Sequence, residues 1–413
     1  MKNFVKYTLI ALLLPTSFCV KAQKTTEKSI SSPSNYGLEI ITGAENSAAY
    51  IALLQHKNIG VVANQTSIVR IKTSPSSYQE HEHLVDFLLK NKINVLKIFS
   101  PEHGFRGEAD AGAKVNSSVD EKTQIPIISL YGKNKKPSKE QLSGIDVLVF
   151  DMQDVGARFY TYISTLHYVM EAAAENNKEI IVLDRPNPNA HYIDGPILQP
   201  KFRSFVGMHP VPIVYGMTIG EYAQMINGEG WLNNRQKAKL TVIPLKNYTH
   251  QSRYSLPVKP SPNLPNDRAI NLYPSTCLFE GTQVNEGRGT EMQFQVYGSP
   301  YLKNMPYQYT PISRKGASDP KFKNQLCFGE NLSETPYLDA IDLRWLIRAY
   351  TQNTLPNFWT KNGKNYWIDQ LSGTDALRMQ IEKGLTQEQI KATWEEGLKN
   401  FRNTRQKYLL YKD

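Results

Sequence analysis

The feature that most constrains the fold is a regular alternation of two kinds of segment between residue 37 and about residue 250. Short runs rich in Val, Ile and Leu are separated by longer amphipathic segments, and the runs span residues 59–62, 95–99, 125–130, 147–150, 180–183 and 240–245. Apolar runs of this length are typical of parallel strands that are buried on both faces. Strands alternating with helices predict a parallel α/β domain.

Start signals precede three of the intervening segments. In each of them, Thr or Ser is followed three residues later by Glu or Gln, which is the spacing of a capping box. The three pairs are Thr42 with Glu45, Ser138 with Gln141, and Thr218 with Glu221. Residues 161–175 are apolar at helical spacing, which predicts a helix that packs on the sheet.

The pattern changes after residue 256. Five prolines interrupt regular structure between residues 257 and 274, and helical patterns return only at residues 339–351, 373–383 and 386–408. We therefore predict an α/β domain over residues 37–256, followed by a smaller α+β domain over residues 257–413.

The N-terminus has the features of a signal peptide over residues 1–22. Two lysines precede an apolar stretch at residues 9–14, and Val20-Lys21-Ala22 provides a small-residue cleavage site. The apolar stretch is too short to span a bilayer, so we expect no stable membrane insertion. The expected location is periplasmic or secreted, with a lipoprotein anchored at Cys19 as the alternative.

Processing would leave a moderately basic chain. Residues 23–36 are polar and are expected to form a disordered lead-in. Loss of the three signal-peptide lysines lowers the net charge from +10 to +7, which favours an anionic polymer such as cell wall as a partner. No cluster of Lys and Arg with interleaved aromatic residues points to nucleic acid. Export would permit a disulfide between Cys277 and Cys327, and the sequence leaves that pairing open.

Polar residues follow four of the predicted strands. They are Asn64, Gln65 and Thr66 after the first run, Glu102 and His103 after the second, residues 151–154 after the fourth, and Asp184 with Arg185 after the fifth. The carboxyl ends of parallel strands lie at one edge of a sheet, and ligands of open α/β sheets bind there. This edge is the predicted site.

The densest of these segments is Pro101-Glu102-His103-Gly104-Phe105-Arg106-Gly107. It places an acid, an imidazole and a guanidinium between glycines, which let a ligand approach the backbone closely. Glu102 is the first candidate for a catalytic group. The alternative is a loop carboxylate that pairs with Arg106.

The segment from Asp151 to Tyr162 adds an arginine and two tyrosines to the same edge. Arg158 offers a planar fork for a carboxylate, and Tyr160 and Tyr162 offer flat faces for sugar rings. The alternative is that Arg158 pairs with Asp154 and that the tyrosines pack in the core.

Nucleotide and metal cofactors are not expected. No Gly-x-Gly-x-x-Gly follows residues 59–62, and the chain has neither a P-loop nor a Gly-x-Ser-x-Gly elbow. Asp151 and Asp154 could hold a divalent ion, but no His lies at ligand spacing beside them. A metal-dependent hydrolase that uses these two aspartates stays as an alternative.

The second predicted domain contributes a glycine-rich loop. Glu286 and Arg288 alternate with glycines after Glu280-Gly281-Thr282. A cleft between domains is a common place for a small-molecule site, so Glu286 could face Glu102 across it. Alternatively, Glu286 and Arg288 form an ion pair that pins the loop.

Together these residues carry a resemblance that extends over most of the chain. The matching segments are VANQT (62–66), PEHGFRG (101–107), residues 146–162, LDRPNP (183–188), GMTIGE (216–221), PSPN (260–263), EGT (280–282) and EGRGT (286–290). The chain resembles the exo-β-N-acetylmuramidase family, the NamZ-type peptidoglycan hexosaminidases. It departs from the family at residues 291–295, EMQFQ where TRPFE is usual, and at Tyr215, where a His is common.

The resemblance implies a Rossmann-like domain with a smaller C-terminal domain, and release of N-acetylmuramic acid from the non-reducing ends of peptidoglycan fragments, muropeptides or disaccharides. It also implies that Glu102 is the catalytic glutamate. Glycosidases commonly use two carboxyl groups, one of which protonates the leaving oxygen. We expect Glu102 to be that general acid.

The second carboxyl group and the sugar contacts are less determined by the sequence. The candidate second groups are Glu286, Asp151 and Asp154, and the candidate cations for the lactyl carboxylate are Arg106, Arg158 and Arg288. The other predicted substrate-binding residues are Asn64, Gln65, His103, Tyr160, Tyr162 and Arg185. A sugar-binding protein without catalysis is the alternative function.

Overall fold

The structure is a computed structural model that describes Met1 and residues 38–74, 77–101, 104–105 and 118–413, without the side chains of 72–74 and 77–79. Three predicted site residues, Glu102, His103 and Arg106, lie outside the described residues. So do the predicted cleavage site and the predicted lead-in at residues 23–36. Residues 39–413 form one compact unit, and the predicted boundary at residue 256 stays a prediction.

The described strands form one large sheet and three small ones. In chain order they are β1 (Asn58–Ala63), β2 (Ile68–Ser74), β3 (Ser77–His83), β4 (Asn94–Ser100), β5 (Ser118–Val119), β6 (Pro126–Ser129), β7 (Val147–Asp151), β8 (Glu179–Leu183), β9 (Lys239–Ile243), β10 (Val296–Ser299), β11 (Tyr307–Tyr309), β12 (Cys327–Asn331), β13 (Lys361–Asn362) and β14 (Asn365–Tyr366). All six predicted apolar runs are confirmed as strands, and all six belong to the large sheet.

The large sheet has the order β5-β6-β4-β1-β7-β8-β9. All its neighbours pair in parallel except β5, which runs antiparallel to β6 at the edge. The parallel α/β prediction is therefore confirmed. The small sheets are β10-β12-β11, β13-β14 and β2-β3.

Ten α-helices are described. They are α1 (Ile51–Leu54), α2 (Leu84–Lys90), α3 (Tyr162–Glu175), α4 (Ile219–Gly228), α5 (Asp267–Thr276), α6 (Arg344–Gln352), α7 (Trp367–Ser372), α8 (Ala376–Glu382), α9 (Gln387–Ala392) and α10 (Glu395–Arg405). None of the helices in these described residues combines the length and the apolar character that a bilayer span requires.

Both faces of the sheet are buried, as the apolar runs predict. Leu148 and Phe150 of β7 pack in a cluster with residues of α3 and α4. Val147 and Val149 pack in a second cluster with residues of α1 and α2. Successive strand residues point to opposite faces, so helices on both sides of the sheet leave its carboxyl edge as the place for polar groups.

The capping signals predict helix starts unevenly. Thr218 and Glu221 form a complete capping box at α4. The side chains of Ser138 and Gln141 also bond each other's backbone N–H, but only a turn follows, because the chain enters β7 six residues later. The Thr42–Glu45 pair likewise forms both bonds without starting a helix.

The predicted C-terminal helix over residues 386–408 is wrong in its length. The chain forms α9, then α10, then a 3₁₀ turn at Gln406–Tyr408. The break lies at Thr393, whose hydroxyl donates to the Ile390 carbonyl, and at Trp394, which is buried. Cys277 and Cys327 are both buried free thiols, so the disulfide left open by the sequence is not formed.

Candidate active site

Five parallel strands deliver their following residues to one edge of the sheet. Asn64 follows β1, Pro101 follows β4, Leu130 follows β6, Asp151 ends β7, and Asp184 follows β8. The Leu130 N–H donates to the Ser100 carbonyl at 2.8 Å, which keeps the ends of β4 and β6 side by side.

A cavity of about 590 Å³ opens among the loop after β6, the loop after β7 and the segments around Glu286 and Lys321. Its lining residues are Tyr131, Phe159, Tyr160, Thr161, Tyr162, Phe205, Val206, Ser261, Leu264, Tyr273, Glu280, Glu286, Arg288, Phe294, Gly316, Ala317, Ser318, Asp319, Pro320, Lys321 and Trp367. Four predicted site residues therefore meet here: Tyr160, Tyr162, Glu286 and Arg288.

The aromatic wall of the cavity is built from edge-to-face ring contacts. The Tyr160 and Tyr162 ring centroids lie 4.8 Å apart, and Tyr273 lies 4.9 Å from Phe294 and 5.3 Å from Phe159. Such contacts fix ring orientation. The two predicted tyrosines thus pack against their neighbours and still present surface to the cavity.

The loop after β1 supports this wall from behind. Asn64 Nδ2 donates to the Tyr162 hydroxyl at 2.7 Å, while its Oδ1 accepts from Thr66. Gln65 Nε2 lies 3.2 Å from the carbonyl of Pro260, which also accepts from the Tyr160 hydroxyl at 2.7 Å. Asn64 and Gln65 therefore hold the tyrosines in place and are not part of the cavity lining.

A charged group also lines the cavity. Arg288 Nη2 lies 2.8 Å from Glu280 Oε1, and Arg288 Nε lies 3.0 Å from Glu286 Oε1. Burial lowers the pKa of Arg288, but the two carboxylates outweigh that effect and raise it above its ordinary value. Arg288 is therefore a permanent cation, and the predicted ion pair with Glu286 is present.

This ion pair does not use the whole guanidinium. The Arg288 side chain keeps 21% of its surface exposed. Its Nη1 has no acceptor in residues 118–413 or in the other described ranges. The group can still donate to a ligand in the cavity.

Asp151 and Arg185 form a separate buried pair. Arg185 Nε donates to Asp151 Oδ1 at 2.6 Å and Arg185 Nη2 donates to Oδ2 at 2.9 Å, in a bidentate arrangement. Burial raises the pKa of Asp151, while Arg185 lowers it. Both residues were predicted site residues, but each is committed to the other and neither lines the cavity.

Arg158 is fully buried away from the cavity lining. Its donors reach main-chain carbonyls: Nη1 lies 2.9 Å from Pro196 O and 2.6 Å from Val211 O, and Nη2 lies 3.1 Å from Leu371 O. These described bonds do not include Asp154, and Arg158 does not line the cavity that could hold a substrate carboxylate. Burial lowers the pKa of Arg158 to about 9.

Asp154 is buried against Tyr215. The Tyr215 hydroxyl and the Gly156 N–H both donate to Asp154 Oδ2, and no described residue donates to the buried Oδ1. Burial raises the pKa of Asp154 from 3.8 to about 6. The carboxyl group therefore binds its proton more tightly in the folded protein than in the unfolded chain.

Asp154 should make the free energy of unfolding fall as the pH rises from about 4 to about 6, because the folded state binds one more proton than the unfolded state in this window. The slope contributed by one proton is at most about 1.4 kcal/mol per pH unit. Asp154→Asn should remove this contribution. Urea unfolding of both proteins between pH 4 and pH 6 gives the free energy of unfolding as a function of pH. The same slope in both proteins would contradict the raised pKa of Asp154.

Within the described residues, no group of three or more His, Cys, Asp or Glu side chains is arranged to hold a metal ion. Asp151 and Asp154, the pair of the metal-dependent alternative, are bonded to Arg185 and to Tyr215 respectively.

The comparisons with known proteins agree with the predicted family. A model described as "Exo-beta-N-acetylmuramidase NamZ, N-terminal" matches residues 59–268, and its C-terminal counterpart matches residues 271–411. The chain belongs to the exo-β-N-acetylmuramidase NamZ family. It is therefore a glycoside hydrolase.

Individual relatives of this NamZ-family chain support the same family assignment. It is 39% identical over 382 residues to "Peptidoglycan beta-N-acetylmuramidase NamZ" of Bacillus subtilis (strain 168), covering 88% of this chain and 89% of the relative. Two crystal structures of DUF1343 family proteins from Bacteroides fragilis NCTC 9343 are also similar. The first has a TM-score of 0.81 and 46% identity, over 91% of this chain and all of the other. The second has a TM-score of 0.74 and 28% identity, over 90% and 99%.

The two departures from the usual NamZ pattern have visible structural places. Tyr215, at the position where a His is common, is buried, and its hydroxyl donates a hydrogen bond to Asp154. In the EMQFQ segment, the Phe294 ring lies under the Arg288 guanidinium at 5.1 Å. The segment therefore supports the cavity through an aromatic ring.

Sequence reasoning missed several cavity residues of this NamZ-family chain. Glu280 stands in a quoted motif but was not predicted as a site residue, although it bonds Arg288. Lys321, Tyr131 and Trp367 carry no local motif, and only the fold brings them to the cavity. The position of Tyr131, directly after the third apolar run, was the one available signal.

Proposed function

We propose that this protein releases N-acetylmuramic acid from the non-reducing ends of peptidoglycan fragments, with Glu102 as the general acid. The observation that carries the proposal is the cavity at the carboxyl edge of the sheet, whose lining combines aromatic rings with a permanent cation and two carboxylates. The name of the Bacillus subtilis relative supports the same substrate class.

The chemistry of the sugar fits this lining. Muramic acid carries an ionised lactyl carboxylate, and an arginine donor is a strong and directional partner for it. Arg288 Nη1 is such a donor. Of the three arginines that the sequence offered, Arg158 is bonded to carbonyls and Arg106 lies outside the described residues, so we assign the role to Arg288.

The place of Glu102 in the chain supports its role. It follows Pro101, the buried residue after β4, and β4 lies between β1 and β6 in the sheet. The loop after β6 supplies Tyr131 to the cavity. The described residue next to Glu102 in the chain, Pro101, therefore follows a strand that neighbours the one leading to Tyr131.

Glu286 is the preferred second carboxyl group. It lines the cavity, whereas Asp151 and Asp154 do not. Its side chain is only 2% exposed and is held by Arg288 and Lys321. Glycoside hydrolysis commonly uses two carboxyl groups that flank the scissile bond.

Arg288→Ala should weaken the preference for muramic acid. A hydrogen bond to a charged group contributes about 1.5 to 3 kcal/mol, so the ratio of kcat/KM for chromogenic N-acetylmuramic acid and N-acetylglucosamine glycosides should fall about ten- to a hundredfold. A loss of folding or of catalysis lowers kcat/KM for both glycosides alike, because both use the same catalytic groups. Such a loss leaves the ratio unchanged. Arg235→Ala, at an exposed arginine, is the control, and an unchanged ratio in Arg288→Ala would contradict the assignment.

Two disaccharides test the direction of cleavage. One has N-acetylmuramic acid at the non-reducing end and N-acetylglucosamine at the reducing end, and the other has the reverse order. Mass spectrometry of the products should show cleavage of the first only. Equal cleavage of both, or cleavage of neither, would overturn the proposed function.

We also propose that the protein acts outside the cytoplasm. The signal sequence and the basic mature chain support export towards an anionic wall polymer. N-terminal sequencing of the protein from the producing cell should begin at Gln23. An intact Met1 would contradict export by this route.

A further inference from the structure

The Lys321 ammonium is surrounded by five oxygen atoms of a single loop. Its Nζ lies 2.8 Å from the Phe279 carbonyl, 3.3 Å from that of Glu280, 3.1 Å from that of Thr282, 3.0 Å from that of Val284 and 3.4 Å from Glu286 Oε2. An ammonium has three protons to donate. Five oxygens around three protons resemble the coordination shell of a cation more than a set of separate hydrogen bonds.

The local backbone explains why oxygens converge at this point. α5 continues into a 3₁₀ turn at Cys277–Gly281, and carbonyls at the end of a helical segment carry partial negative charge. The Phe279 carbonyl accepts from the Thr282 N–H and hydroxyl as well as from Lys321. The extended residues that follow add the carbonyls of Thr282 and Val284. Rings of main-chain carbonyls can replace the hydration shell of a potassium ion.

The same loop carries the charged wall of the cavity. Glu280 and Glu286 lie within it and Arg288 follows directly. Lys321 comes from a separate segment, 35 residues beyond Glu286. A second bond joins the two segments, because Asn285 Nδ2 donates to the Lys321 carbonyl at 3.0 Å.

We propose that residues 279–286 form a site for a monovalent cation, and that the tethered ammonium of Lys321 occupies it. Lys321 is then a positioning residue that fixes Glu286 and Arg288 in the cavity. The positioning role rests on the proposed function, whereas the cation site itself does not.

Lys321→Ala should empty the site and leave a shell that potassium or ammonium ions can enter. A displacement of about 1 Å in a catalytic group can cost about a hundredfold in rate, so kcat on a chromogenic N-acetylmuramic acid glycoside should fall by about ten- to a hundredfold, with a smaller change in KM. Potassium or ammonium chloride should restore most of the lost kcat. Choline chloride at the same concentration should not, because its cation is too large for the shell.

Lys399→Ala is the matched control. Lys399 is an exposed residue of α10 and does not line the cavity. Its kcat should equal that of the unmutated protein in all three salts. A folded Lys321→Ala that keeps its activity, or whose lost activity no cation restores, would overturn the positioning role.

Thermal unfolding tests the cation site without using activity. Potassium chloride should raise the Tm of Lys321→Ala relative to choline chloride, and it should have no such specific effect on the unmutated protein. If Lys321→Ala does not fold, the same comparison is made with Lys321→Gln, whose neutral side chain is shorter than that of lysine. Equal Tm values in the two salts would overturn the site. If the potassium effect is present and the unmutated protein does not cleave muramic acid glycosides, the proposed function fails and the cation site stands.

Discussion

Glu102→Gln should leave the protein folded and lower kcat on a chromogenic N-acetylmuramic acid glycoside by about 10²- to 10⁴-fold, the usual contribution of general acid–base catalysis. The amide conserves the shape of the side chain but has no proton to give to the leaving oxygen. Single-substrate kinetics on both proteins measures the loss. Circular dichroism and the Tm check that the variant is folded.

Glu121→Gln is the control for this experiment. Glu121 is an exposed residue between β5 and β6, and the same change of charge there should leave kcat unaltered. A folded Glu102→Gln that loses less than about tenfold would show that Glu102 is not the acid.

Arg185→Ala should lower the free energy of unfolding by about 3–5 kcal/mol, because it leaves the Asp151 carboxylate buried without its partner. Asp151 is fully buried and Arg185 is 3% exposed, so solvent cannot compensate for the lost bidentate contact. Urea unfolding at pH 7 measures the loss.

A surface pair provides the comparison for this variant. Lys201 and Asp375 lie 2.8 Å apart, with the lysine side chain 59% exposed, and Lys201→Ala should cost no more than about 1 kcal/mol. The sequence predicts substrate binding for Arg185. A stable Arg185→Ala with a greatly increased KM would support that role and contradict the structural one.

The sheet could be predicted from the sequence because each of the six predicted strands coincides with a local apolar run. Six apolar runs became six strands, since burial on both faces favours segments rich in Val, Ile and Leu. The carboxyl edge followed from the parallel order alone. Helix starts were less predictable, because the capping bonds at Ser138 form although no helix follows. The two side-chain bonds depend only on nearby residues, whereas extension of a helix depends on how soon the next strand begins.

The partners of charged residues could not be predicted in the same way. Asp151 and Arg185 are 34 positions apart, and only the pairing of β7 with β8 brings them together. The carbonyls around Arg158 come from residues as distant as Leu371. A charged side chain at a strand end can point into the cavity or into the protein, and sequence spacing does not distinguish the two.

The loop at residues 279–288 contains two residues that the sequence marks, and it is held by a third that the sequence does not mark. Its glycines marked Glu286 and Arg288 as candidates, and both line the cavity. The ammonium that holds the loop comes from Lys321, which the sequence does not mark. Local glycine patterns thus identify a loop of interest, while the tertiary contact that fixes it becomes visible only in the structure.

The most direct test of the account compares two chromogenic glycosides that differ only in the lactyl ether, using the unmutated protein. We predict that kcat/KM for the N-acetylmuramic acid glycoside exceeds that for the N-acetylglucosamine glycoside by at least about ten- to a hundredfold, the contribution of one charged hydrogen bond from Arg288. Equal values for the two glycosides, or no turnover of the muramic acid glycoside, would contradict the account.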